Sequence, residues 1–112
     1  MQIIKHTISR EELKAMTGGF TTLVKAVVDV ARECIALDAE LHSDLEGLLL
    51  DDGSRQEDLW GINLYPDLTG DDFIEFDSMI NMRPSQGNMT RGVDDEKIRG
   101  KIVDIVSQRI AG

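Results

Sequence analysis

A chain of 112 residues has the length of one ordinary domain and can bury roughly 65% of its unfolded surface, enough for a core that leans on neither disulfide nor metal. Hydrophobic residues make up 41% and aromatics only 4%, so that core is aliphatic, with Trp60, Phe73 and Phe76 as its bulkiest candidates. The 21 acidic against 12 basic residues give a net charge of -9, which repels phosphate backbones and anionic lipid and disfavours nucleic acid as a general partner. A lone cysteine, Cys34, leaves no intrachain disulfide and no cysteine-based zinc site; it reads as a small buried apolar residue. With no charged-then-apolar leader and no run of about 18 apolar residues, neither a secretion signal nor a membrane span is expected, and the cytoplasm is the expected location.

Gln2 to Ile8 alternates Ile4, His6 and Ile8 against Ile3, Lys5 and Thr7, the pattern of a short edge strand. Ser9-Arg10-Glu11-Glu12 is a capping box, with Ile8 and Leu13 placed as a hydrophobic staple, and Thr17-Gly18-Gly19 ends the helix it opens. Leu23 to Val30 is rich in β-branched residues and predicts a central strand; Ala31-Arg32-Glu33 reads as a turn and Cys34 to Leu37 as a returning strand, with helical continuation from Ala31 as the alternative. Glu40 to Leu50 carries Leu41, Leu45, Leu48 and Leu49 on one helical stripe, with Asp38 as its expected cap and Gly53 as its stop.

Leu59 to Tyr65 and Phe73 to Arg83 then alternate with period two around the turn-rich stretch Pro66 to Asp72, which predicts a long β-hairpin. Its core face takes Trp60, Ile62 and Leu64 from the first strand and Ile74, Phe76, Ile80 and Met82 from the second. The opposite face carries Asn63, Tyr65, Glu75, Asp77, Asn81 and Arg83. Asp95 to Ile110, acidic at its start and with Ile98, Ile102, Ile105 and Val106 along one side, closes the chain as a helix. The order β-α-β-β-α-β-β-α predicts an α+β fold over residues 1–112 as a single domain: a mostly antiparallel sheet with its helices packed on one face and the other face left to solvent or a partner.

No Gly-rich phosphate loop, nucleophile elbow or paired-histidine helix is present, so no reaction is legible from motifs. Two weaker constellations remain. Antiparallel pairing brings Arg55, Gln56, Glu57 and Asp58, just before the first hairpin strand, beside Asn81, Arg83, Gln86, Asn88 and Arg91, at and beyond the end of the second. Arginines there offer bidentate grips for a carboxylate or phosphate, or else are neutralised by the facing acids in a structural network. The carboxylates Asp29, Glu75 and Asp77, with His42 nearby, are the metal or acid/base candidates if the sheet order lets them converge. No cofactor is indicated.

Two segments carry a resemblance. Gly53-Ser54-Arg55-Gln56-Glu57-Asp58-Leu59-Trp60-Gly61-Ile62-Asn63-Leu64-Tyr65-Pro66 and Ile74-Glu75-Phe76-Asp77-Ser78-Met79-Ile80-Asn81-Met82-Arg83-Pro84-Ser85-Gln86-Gly87-Asn88 resemble those of a family of small prokaryotic proteins known only as a domain of unknown function. The resemblance implies a stand-alone cytosolic domain and brings no activity, cofactor or catalytic residue with it. The residues themselves favour a non-enzymatic binding or regulatory module that uses the polar hairpin surface, with a protein partner or self-association as a homodimer; the alternative is a small metal-assisted hydrolase or acid/base enzyme.

Overall fold

The computed structural model describes residues 1–19 and 22–112. Its elements in chain order are β1 (Gln2–Ile4), β2 (Ile8–Ser9), α1 (Arg10–Ala15), β3 (Val24–Asp29), β4 (Cys34–Leu37), α2 (His42–Asp51), β5 (Leu59–Leu64), β6 (Ile74–Glu75), α3 (Glu96–Arg109) and β7 (Ile110–Ala111). The α+β class and the antiparallel main sheet are as expected, in the order β1-β4-β3-β5-β6. The strand with the densest β-branched run, β3, sits at the centre, and β1 is at the edge. A two-stranded parallel ribbon of β2 and β7, pairing Ile8 with Ile110, ties the two ends of the chain together and was not anticipated.

The helices divide between both faces of the sheet, where one face was expected. Val24, Ala26 and Val28 of β3, Ile35 and Leu37 of β4, and Trp60, Ile62 and Leu64 of β5 pack with Leu13 of α1 and Ile102, Ile105 and Val106 of α3. The alternate residues Val27, Cys34, Ala36 and Leu59 are also buried, and Leu45 and Leu49 of α2 cover them. The reason is legible in β3 and β4: both faces of these strands are apolar, so a single helical layer would leave Val27, Cys34 and Ala36 in water at about 25 cal/mol per Å² of apolar surface. Among the described residues no helix is long and apolar enough to cross a membrane.

Local signals mostly land where the residues put them. The Glu12 amide donates to Ser9 Oγ at 3.0 Å and the Ser9 amide returns to Glu12 Oε1 at 3.4 Å, completing the capping box. Gly18 and Gly19 take left-handed φ of 62° and 76° just past α1. The Asp95 carboxylate caps α3. Asp38 does not cap α2: the cap position is Leu41, whose side chain offers no acceptor and stands 54% exposed.

The long hairpin is the main correction. β5 keeps its expected register, but β6 pairs only Glu75 with Asn63 and Ile74 with Leu64 before the chain leaves the sheet. Phe76 stays beside the α3-side core, Ile80 packs against the α2-side core, and Met82 is exposed, so these residues do not share one face. The cause lies in Gly61 and Asn81. A Cβ on Gly61 would stand 2.6 Å from both Cβ and Oγ of Ser78, so only glycine lets the Ser78–Ile80 segment cross over β5. Where a continued β6 would have paired, the buried Asn81 side chain takes over: its Oδ1 accepts from the Gly61 amide at 2.8 Å and its Nδ2 donates to the Gly61 carbonyl at 2.9 Å. One asparagine thus reproduces the two hydrogen bonds of a strand neighbour.

Candidate functional site

The segments 55–58 and 81–91 come together as expected, but their hydrogen bonds point inward. Arg83 lies over the Trp60 ring at 4.2 Å and donates Nη1 to the Gln56 carbonyl and Nη2 to the Leu59 carbonyl, the latter at 2.6 Å. Burial pushes the Arg83 guanidinium below its ordinary range, opposed by the charge of Glu46. Gln86 donates to the Glu57 carbonyl at 3.1 Å, Arg55 pairs with Glu57, and the Asp58 carbonyl accepts from the Val30 amide. Asn88 Nδ2 donates to the carbonyls of Asn81, Thr90 and Gly92 while its Oδ1 accepts from the Asp94 amide. A guanidinium occupied by two carbonyls and an indole face has its bidentate fork already filled. This cluster fastens the 81–94 segment to β5, through backbone carbonyls rather than through the acid-base pairing expected of Glu57 and Asp58.

The carboxylates of the second constellation separate. Asp29 is fully buried at the β3–β4 turn, where Oδ1 accepts from the amides of Ala31 and Arg32 at 2.9 Å each and Oδ2 from Ser54 Oγ at 2.6 Å. These three donors leave it a turn-fixing role, since each satisfies a lone pair a ligand would need. Glu75, Asp77 and His42 lie toward the other end of the sheet. Among the described residues, no three His, Cys, Asp or Glu side chains form a group that could hold a metal ion.

That other end carries a different arrangement. Register places Lys25 of β3 opposite Asn63 of β5, and Asn63 opposite Glu75 of β6, one polar row across three strands on the α2 side. Asn63 Nδ2 donates to Glu75 Oε1 at 2.8 Å and to the Asp77 carbonyl at 3.3 Å, while Tyr65 Oη donates to the same Glu75 oxygen at 3.1 Å. Desolvation, then the hydrogen bond to Glu75, raises the Tyr65 phenol. With its amide nitrogen turned to the β6 side, the buried Asn63 keeps Oδ1 without a partner among the described residues. The Lys25 ammonium likewise makes no hydrogen bond or ion pair among them. Arg91 Nε donates to Asp77 Oδ1 at 2.6 Å.

At the Lys25 end of this row opens a cleft of about 180 Å³ lined by Lys25, Leu41, His42, Ser43, Ser78, Met79, Ile80 and Arg91. Two cations line it and no carboxylate does, in a chain of net charge -9. The first turn of α2 enters it with no side-chain cap, so its amide end adds partial positive charge. His42 Nε2 donates to the Ile62 carbonyl at 2.8 Å, which leaves Nδ1 as the lone-pair nitrogen of the neutral ring. Burial, foremost, holds its pKa below the ordinary 6.5, with Lys25 and Arg91 adding to that direction and the Ile62 hydrogen bond and Asp77 opposing it. At the mouth stand Leu41, 54% exposed, and Met79, 65% exposed; Met82 and Met89 are exposed on the adjoining 82–89 segment.

Of the nine residues expected to form a binding surface, Arg91 alone lines this cleft; His42 comes to it from the metal candidates, and Asp77 reaches it through Arg91. Lys25, Ser43, Ser78 and Met79 were missed. Lys25 carried a signal, as the one basic residue inside the β-branched-rich central strand, whereas Ser78 and Met79 reach the cleft only because the second hairpin strand breaks. No curated protein and no solved structure matches the chain. The model of a protein family matches residues 2–109, and the chain belongs to that family, described as a protein of unknown function (DUF5674).

Proposed function

We propose that the protein is a binding module that recognises an acidic side chain presented by a protein partner, with the cleft at the start of α2 as its contact point. One observation carries this: a recess lined by Lys25 and Arg91 and no carboxylate, at an uncapped helix amino end, in a strongly acidic chain. At about 180 Å³ it falls below the range of roughly 300–1,000 Å³ typical of small-molecule sites, yet it admits one carboxylate group. The exposed Leu41, Met79, Met82 and Met89 supply the apolar contact that a peptide segment on either side of that group would cover, and methionine suits surfaces that adapt to a partner. Lys25, having no ion pair to break, meets the anion without an exchange of partners.

The chain's own 21 acidic residues make a second copy one such partner, which would show as a mass rising with concentration. The buried, lone Cys34 accords with a reducing cytoplasm. The test is isothermal titration with a blocked peptide bearing one glutamate between leucines, beside the same peptide with glutamine. The glutamate peptide binds and the glutamine peptide binds at least tenfold more weakly, the scale of one charge-assisted hydrogen bond of about 1.5–3 kcal/mol; Lys25→Gln removes that difference. Equal binding of the two peptides, or none, sinks the proposal.

A further inference from the structure

On the α3 side, away from the cleft just described, a second recess of about 470 Å³ lies between β6 and α3, lined by Gly70, Asp71, Ile74, Phe76, Arg99, Gly100 and Val103. This volume falls inside the range of roughly 300–1,000 Å³ that holds small molecules. Its floor is apolar: Ile74 and Phe76 pack against the edge of the main core, and Val103 stands 41% exposed on the helix side. Arg99 lies over the Phe76 ring at 4.7 Å. Stacking engages the flat face of the guanidinium and leaves its in-plane N–H donors for a pair of oxygens. Unlike Arg83, whose fork is filled by two carbonyls, Arg99 has no ion pair or side-chain hydrogen bond among the described residues.

Gly100 keeps the recess open. A Cβ there would meet nothing within 4 Å, and the residue takes no left-handed φ, so neither packing nor backbone conformation calls for glycine in the middle of α3. A larger side chain at that position would instead occupy the recess. Asp71 stands on the opposite lip, also without an ion pair among the described residues, and disfavours a second negative charge on whatever enters.

We infer that this recess binds a small apolar monocarboxylate, its body on Ile74, Phe76 and Val103 and its carboxylate on the Arg99 fork. The test is a chemical-shift titration of the whole chain with 3-phenylpropanoate, 3-phenylpropanamide and phenylsuccinate as probes. Saturable shifts on Ile74, Phe76, Arg99, Gly100 and Val103 are expected with 3-phenylpropanoate, about tenfold weaker binding with the neutral amide, and weaker binding with the dianion. Arg99→Gln removes the preference for carboxylate over amide. Gly100→Leu removes binding without lowering the melting temperature, because leucine is the better helix former. No saturable shift with 3-phenylpropanoate, a footprint elsewhere on the molecule, a preference that survives Arg99→Gln, or binding undiminished in Gly100→Leu overturns the inference.

Discussion

Replacing Asn81 by alanine removes a side chain that stands in for a strand. Its amide makes three hydrogen bonds, from the Gly61 amide at 2.8 Å, to the Gly61 carbonyl at 2.9 Å and to the Arg91 carbonyl at 2.9 Å, and the residue is fully buried. Alanine leaves the buried Gly61 amide and carbonyl without these partners, while the Arg91 carbonyl keeps the Ser78 amide at 2.9 Å. A buried group left unpaired costs about 1–3 kcal/mol, and a carbonyl at the low end of that range because it has a second lone pair, so the loss comes to about 2–4 kcal/mol. That is a large share of the roughly 5–15 kcal/mol that holds an ordinary domain together. In a urea melt followed by Trp60 fluorescence, with a slope of about 2 kcal/mol per molar, the midpoint falls by about 1–2 M. The exposed Met79→Ala, two residues away, is the control and should stay within about 0.5 kcal/mol of the parent. An Asn81→Ala midpoint within 0.3 M or so of the parent would refute the idea that this amide replaces the missing strand.

Gly61→Ala tests the same crossing from the other side: with 2.6 Å to Ser78, the added methyl displaces the Ser78–Ile80 segment and costs about 1–3 kcal/mol, read as a lower melting temperature together with shifted Ser78, Met79 and Ile80 amides. Arg10→Met tests the closure of the chain ends. Arg10 donates to the carbonyls of Gly112 at 2.9 Å, Leu68 at 2.9 Å and Pro66 at 3.2 Å and stacks on Phe73 at 3.8 Å, so its loss should cost about 1–2 kcal/mol and speed amide exchange at Ile8 and Ile110. His42 gives a pH dependence. Its folded pKa lies below the unfolded 6.5, so the unfolded chain binds the proton more readily and stability falls as pH drops below about 6.5 toward the folded value. Denaturant midpoints of His42→Asn across pH 5 to 8 should lack that contribution; an unchanged pH slope would show that the ring does not titrate as described.

What the sequence made legible follows from how local each cause is. The capping box of Ser9 and Glu12 and the stripe of α3 each involve residues within one to three turns of each other, and they formed as read. The register of β5 was legible because Trp60, Ile62 and Leu64 alternate cleanly with smaller or polar residues. The second hairpin strand was not, because alternation over Phe73 to Arg83 is indifferent to what happens across the sheet. The close crossing at Gly61 and the amide of Asn81 are contacts 17 and 20 residues apart in sequence, and they override the pattern. The two-faced helix layer was readable in part: Val27, Cys34 and Ala36 showed that both faces were apolar, but the polar residues of β5 and β6 drew attention to an open face that exists only at one end. Arg83 and Asn88 looked like ligand-binding groups by residue type. Backbone carbonyls left over from the irregular 76–94 stretch took their donors instead, a demand that no residue type announces.

The cleft at the start of α2 can be tested on the unmodified chain by mapping which amides move when the blocked glutamate peptide is added. Shifts gathered on Lys25, His42, Ser43, Ser78, Met79 and Arg91, and absent with the glutamine peptide, are the expected result. A glutamate-dependent footprint on any other part of the surface, or shifts shared equally by both peptides, would contradict the assignment of this recess as the place where an acidic partner is held.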